Sequence, residues 1–203
     1  MSVRKAITRF IKAFTWTSPA YGDILARERG QAVVRVFVTT AATIAFCVYA
    51  YLTNNLFSVM PTWMLGIGYS VVAAIFLRYL MHSRAITTWR RYITNFTDTS
   101  LVTLSMITAE EFGLPVFLLD LWITSGNGFR FGLPALIVST ALSVAGFSLV
   151  VALTEVWRNN PALAIGVFLV LIMIPLQTAQ RILQHQRNWS ARESAIYKTN
   201  HVR

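Results

Sequence analysis

The sequence predicts an all-α fold: a polytopic membrane bundle of six transmembrane helices, preceded by a basic amphipathic segment and followed by a cytoplasmic helical tail. Three observations carry that prediction. Of the 203 residues, 55% are hydrophobic and only 13% charged, which is too apolar for a soluble domain of this length. Several apolar runs approach about 20 residues, enough to cross a hydrocarbon core about 30 Å thick. The cations fall between and beyond those runs rather than within them, as membrane insertion with cationic loops inside requires. The organisation that follows is a basic segment over residues 1–30, the membrane domain over 31–183 and the tail over 184–203.

In chain order, Val3, Ile7, Phe10, Ile11 and Phe14 fall at helical spacing against Arg4, Lys5, Arg9 and Lys12, a pattern suited to an anionic membrane surface. No long apolar core or small-residue cleavage site precedes Pro19, which argues against a signal peptide. The first span is expected over Ala32–Leu52 and the second over Thr62–Met81, joined by an uncharged turn with Asn54, Asn55 and Pro61. Tyr92–Ile107 is rich in Thr, Ser and Asn and must turn that polar side toward partner helices. Leu114–Ile123 is about half the usual spanning length and runs into Ser125-Gly126-Asn127-Gly128-Phe129-Arg130-Phe131-Gly132, where three glycines are expected to break the helix. Spans at Leu133–Leu153 and Pro161–Ile182 complete the set, the latter with Pro175 near its end.

Charge gives a topology. Arg4, Lys5, Arg9, Lys12, Arg27 and Arg29 precede the first span, Arg84, Arg90 and Arg91 lie between the second and third, and Arg187, Arg192, Lys198 and Arg203 follow the last. The opposite connections hold only Arg158. Six crossings then put both termini in the cytoplasm of a bacterial inner membrane. The net charge of +10 is thereby explained without nucleic acid.

Catalysis finds no support. His82, His185 and His201 have no metal-ligand spacing, and Cys47 stands alone without a visible base, so no metal, cofactor, disulfide or covalent chemistry is expected. The serines and threonines from Thr94 to Ser105 read as helix-to-helix hydrogen bonding. What remains is a set of ionisable groups at membrane depth: Asp98, Asp120 and Arg130, with Glu110 and Glu111 at an outer edge and Arg35 near the inner end of the first span. Such groups are costly in lipid and pair inside the bundle, which makes Asp98 or Asp120 with Arg130 the expected pair. A structural pair and a polar pocket for an amphiphile's headgroup are both consistent with that pattern.

The run Trp122-Ile-Thr124-Ser-Gly126-Asn127-Gly128-Phe-Arg130-Phe131-Gly132 resembles the membrane input domain of RpfC-like hybrid histidine kinases, receptors for diffusible signal factor, whose pattern is Trp-x-Thr-x-Gly-Asn-Gly-x-Arg-aromatic-Gly. Gln31, Arg35, Thr39 and Thr40 are similar to that family's first helix, Asp98, Glu111 and Pro115 fall at similar distances before the motif, and Trp157, Asn160, Pro161, Gly166 and Pro175 are similar to its final helix. The resemblance takes in residues 28–176. It implies a sensor of a medium-chain cis-2-unsaturated fatty acid in quorum-sensing two-component signalling. It also implies a ligand-sensing role for Glu28, which matches a glutamate of the family's acidic cluster, while Ala26 and Arg27 stand where the family has Asp and Ser. The family places that cluster outside the cell; the cations before the first span place it inside.

A kinase of that family continues through a His-box helix and an ATP-binding domain. The sequence ends at Arg203, and His185 and His201 lack a phosphoacceptor's context, so the expectation is a sensor without enzymatic activity, either sensor-only or part of a larger chain. The expected ligand is a fatty-acid-like molecule and the expected partner a second copy or a histidine kinase, with the relay running from Pro175 along a weak seam of Leu176, Ala179, Leu183, Gln186 and Ser190. The expected site comprises Glu28, Arg35, Asp98, Glu111, Asp120, Trp122, Asn127 and Arg130, with Arg130 as the counter-ion of an acid. The alternative is a small transporter or channel that uses Asp98, Asp120 and Arg130 as a relay.

Overall fold

A computed structural model describes residues 21–82, 88–109 and 112–201. Among them the regular elements are all helical: α1 (Tyr21–Leu52), α2 (Met60–His82), α3 (Thr88–Ala109), α4 (Gly113–Phe131), α5 (Leu133–Leu153), α6 (Glu155–Asn159) and α7 (Pro161–His201). The amphipathic pattern at residues 3–14 and the expected site residue Glu111 lie outside the described residues.

Among the described residues, four helices are long and apolar enough to cross a membrane, at Leu25–Leu52, Met60–His82, Leu133–Leu153 and Pro161–His185. They correspond to the first, second, fifth and sixth spans expected from sequence. α3 and α4, with 22 and 19 residues, have spanning length at about 1.5 Å per residue, but their polar side chains keep them out of that set. The chain divides into two compact units, one up to Phe117 and one from Leu118 onward.

In the first unit α2 packs against α1 and α3. Close approach of α1 and α2 depends on Gly66, where an added Cβ would lie 2.4 Å from Thr43 Oγ1. Between helices in lipid, where burial from water supplies no drive, such small-residue contacts let van der Waals packing hold the pair. Thr39 and Thr43 satisfy their own hydroxyls by donating to the carbonyls of Arg35 and Thr39, each at 2.8 Å. The α1–α2 turn uses Asn54 at φ 58°, a left-handed position that Asn tolerates better than most residues. Pro61 then falls in the first turn of α2, where its missing N–H costs nothing. A hydroxyl contact of 2.8 Å between Thr62 and Thr108 ties α2 to α3.

In the second unit the glycine-rich stretch departs from expectation. α4 does not stop near Ile123 but runs unbroken through Gly126, Asn127 and Gly128 to Phe131. Helical glycine costs roughly 1 kcal/mol relative to alanine, and at Gly128 packing offsets it, because an added Cβ would lie 2.8 Å from Leu136 Cδ1 on α5. The break falls instead at Gly132, whose φ of 85° suits glycine, with Pro134 in the first turn of α5. α5 covers Leu133–Leu153, the expected span, and packs against α7.

The connection between the fifth and sixth expected spans contains α6. It carries Trp157, buried edge-on against Phe147 with centroids 5.1 Å apart, and Phe147 meets Phe168 at 4.8 Å. α7 joins the sixth segment and the tail in one helix of 41 residues with Pro175 inside it. At about 1.5 Å per residue it is about 60 Å long, roughly twice a hydrocarbon core.

Candidate functional site: polar clusters inside apolar helices

Among the described residues, the first unit holds two buried ion-pair clusters. On α1, Arg35 grips Asp98 of α3 through two parallel bonds, Nε to Oδ1 at 2.7 Å and Nη2 to Oδ2 at 2.6 Å. The Tyr69 hydroxyl of α2 donates to Asp98 Oδ1 as well. Each of the three helices thus contributes one side chain, and a fork-to-fork geometry of this kind gives orientation as well as energy. Nearer the start of α1, Glu28 receives the two cations of α3: Arg90 Nη2 donates to its Oε2 and Arg91 Nε to its Oε1, the latter at 2.7 Å. Neighbouring Arg29 donates to the carbonyls of Leu80 and Met81 at the end of α2, at 3.1 and 3.3 Å.

These clusters share one register. Glu28 with Arg91 and Arg35 with Asp98 are each separated by 63 positions, so α1 and α3 run parallel with partners two helical turns apart on both. The signs are reversed between the rungs: carboxylate on α1 and cation on α3 below, cation on α1 and carboxylate on α3 above. A slip by one heptad either way sets Glu28 against Asp98 or Arg35 against Arg91, like against like, so the ladder specifies register. Seven-residue spacing of opposite charges at 28 and 35 and again at 91 and 98 was the signal available in the sequence. Arg90 and Arg91 were missed as site residues because they read only as flanking cations.

The second unit uses hydroxyls and an amide. Asp120, Thr124 and Asn127 project from one face of α4, and Ser139 and Ser143 from one face of α5, all buried. Ser143 donates to Asp120 Oδ1 at 3.0 Å and contacts Thr124 Oγ1 at 2.9 Å. With its single proton committed to Asp120, Ser143 accepts from Thr124. One turn along, Asn127 Nδ2 donates to Ser139 Oγ at 3.1 Å.

The expected pairing with Arg130 is therefore corrected. Asp98 is engaged by Arg35. Asp120 and Arg130 lie on one continuous helix, where ten positions amount to about 15 Å along the axis, too far for contact; only a broken helix would let them meet. The Arg130 guanidinium stands 5.8 Å from the centroid of the Trp122 ring, within cation-π range. Among the expected site residues the structure thus brings together Arg35 with Asp98 and Trp122 with Arg130. It takes Glu28 to Arg90 and Arg91, and Asp120 and Asn127 to α5.

Apolar helices with their buried polar groups turned onto one another define a polytopic helical membrane protein. The chain is 27% identical over 149 residues to the "Sensory/regulatory protein RpfC" of Xanthomonas campestris pv. campestris, in each of two strains. That match takes in 73% of this chain and 20% of the relative, so the chain corresponds to about a fifth of the longer protein. It supports a relation to that protein. No protein-family model and no solved structure matches the chain.

Proposed function

We propose that the chain is a membrane sensory module that binds a fatty-acid-like quorum-sensing signal, of the diffusible signal factor class, and relays its binding through α7 to a histidine kinase or another partner. The similarity to a sensory/regulatory protein over 73% of the chain carries this reading. In the first unit three helices meet at one buried carboxylate, Asp98, held by Arg35 and Tyr69, which ties their positions to one another.

In this reading α3 and α4 cross the membrane beside the four apolar helices, with their polar faces inward. Six crossings and the cations between them put both termini in the cytoplasm of a bacterial inner membrane. α7 outlasts the hydrocarbon, and the exposed Leu176 and Leu183 near its exit supply the contact for a second copy or a kinase helix. No catalytic step falls to this chain.

Native mass spectrometry of the purified protein tests the proposal, reading ligand and oligomer together. The expected result is a dimer carrying a medium-chain acid, with added cis-2-unsaturated acid raising thermal stability. A monomer that neither retains nor is stabilised by such acids sinks it. The chain Thr124–Ser143–Asp120 favours one rival, a transporter with an intramembrane proton relay. Proton flux into proteoliposomes that Asp120→Asn abolishes would decide for that rival.

A further inference from the structure

We infer that Arg78 of α2, with Tyr79 beside it and Trp89 and Tyr92 of α3, forms a site for the phosphate of an anionic phospholipid on the exposed side of the α2–α3 hairpin. The site is separate from the two ion-pair clusters, whose side chains turn inward, and it does not depend on the chain being a sensor.

Charge is the first argument. No charged side chain occurs from residue 36 to residue 77, so Arg78 is the first charge that α2 carries. It is exposed. Arg35, Arg90 and Arg91 each meet a carboxylate, whereas among the described residues no ion pair or hydrogen bond holds the Arg78 guanidinium. Its backbone carbonyl meets His82 Nδ1 at 2.9 Å, which leaves the side chain uninvolved. A permanent cation at the edge of an apolar span draws its partner from the surroundings, and a guanidinium takes a phosphate through two parallel bonds.

Depth is the second. α2 has 23 residues, about 34 Å at 1.5 Å per residue, slightly more than a hydrocarbon core of about 30 Å. Arg78 stands about one turn before its end at His82, so a long side chain that snorkels reaches the headgroups.

The surroundings are the third. α2 and α3 run antiparallel, registered by Tyr69 with Asp98 and Thr62 with Thr108, and continuing that register sets Arg78 level with residues 89–92. There α3 turns Arg90 and Arg91 inward to Glu28 and exposes Trp89 and Tyr92, as α2 exposes Tyr79. At this depth an aromatic ring lies along acyl chains while its N–H or hydroxyl meets the headgroup. The α1–α2 turn at the other end exposes Tyr51, Leu52 and Phe57, but no cation accompanies them.

The arrangement favours an anionic lipid over a zwitterionic one. A zwitterionic headgroup brings its own ammonium to a guanidinium that has no carboxylate beside it among the described residues, and like charges repel. A bound lipid would fix the depth of the helix end whose last carbonyls, Leu80 and Met81, receive Arg29.

Native mass spectrometry of the full chain in detergent, with phosphatidylglycerol and phosphatidylcholine added at equal concentration, reads the site. The parent is expected to retain phosphatidylglycerol in preference. Arg78→Gln should bind it about tenfold more weakly, the effect of losing one charge-assisted hydrogen bond, with an unchanged melting temperature in lipid-free detergent because no protein contact is lost. Arg181→Gln is the control: Arg181 is exposed near the end of the apolar stretch of α7, carries the same charge and lies outside the site, so this variant should bind as the parent does. Tyr92→Leu should weaken retention with Arg78 intact. Equal retention by the parent and Arg78→Gln overturns the site, and so does an equal loss in Arg181→Gln, which would make the effect one of net charge. Preference for phosphatidylcholine overturns the anionic assignment. Displacement of the lipid by decanoic acid at equal concentration overturns the phospholipid assignment and gives the site to a free acid. None of these outcomes decides whether the chain is a sensor.

Discussion

The two compact units hold their helices together by different chemistry. Up to Phe117, full charges meet: Arg35 with Asp98, and Glu28 with Arg90 and Arg91. From Leu118 onward, α4 and α5 meet through Asp120, Thr124, Asn127, Ser139 and Ser143, where the Asp120 carboxylate is held by the Ser143 hydroxyl. Charged rungs are costly to bury and discriminate strongly against wrong partners. Hydroxyl and amide contacts between membrane helices average about 0.6 kcal/mol and rarely exceed about 1.7. The first unit therefore carries specificity of register, and the second carries close packing with weak polar glue.

The sharpest way to break that contrast is to remove one member of the upper rung. Arg35→Leu is expected to cost about 3–5 kcal/mol, because it strands the buried Asp98 carboxylate. The double variant Arg35→Leu with Asp98→Leu should recover most of that loss, since no unpaired charge remains. Denaturant unfolding in detergent of both singles and the double closes the cycle. If the double is as unstable as either single, the rung contributes packing rather than charge pairing, and the contrast between the units fails.

Next in size is the glycine contact between α1 and α2. Gly66→Val should destabilise by about 1–3 kcal/mol through overpacking, since even a Cβ meets Thr43 Oγ1 at 2.4 Å. Gly68, two residues on, has nothing within 4 Å of an added Cβ. Gly68→Ala should therefore stabilise by up to about 1 kcal/mol, the helix-propensity difference. Melting temperatures of the two variants should move in opposite directions.

Much of the fold was legible because its strongest signal is local. Apolar run length located the four most apolar spans, and for α5 the sequence-based and observed bounds agree, with Gly132 and Pro134 marking its start. The glycines before it misled because their meaning is not local: Gly126 and Gly128 read as breakers, yet Gly128 serves contact with Leu136 on the next helix. The site was legible as a set of residue types and not as pairs. Asp98 was rightly marked as needing a cation, but the choice of Arg35 depends on packing three helices together, 63 positions apart in sequence. The heptad spacing of reversed charges would have suggested it.

The smallest effect sharpens the comparison from the second unit. Ser143→Ala removes the hydroxyl that donates to Asp120 and leaves Thr124 without its partner on α5. A buried group stripped of one hydrogen bond costs about 1–3 kcal/mol in general, but in membrane helices the unfolded reference finds substitute partners, and about 0.6 kcal/mol is typical. With Thr124 free to donate to its own helix, as Thr140 does to the carbonyl of Leu136 at 2.8 Å, the expected loss is about 0.5–1 kcal/mol. Unfolding of Ser143→Ala beside Arg35→Leu in the same detergent measures the ratio directly. A Ser143→Ala loss that equals the Arg35→Leu loss would mean that Asp120 depends on its hydroxyl as fully as Asp98 depends on its arginine, and the two units would then be built on one principle.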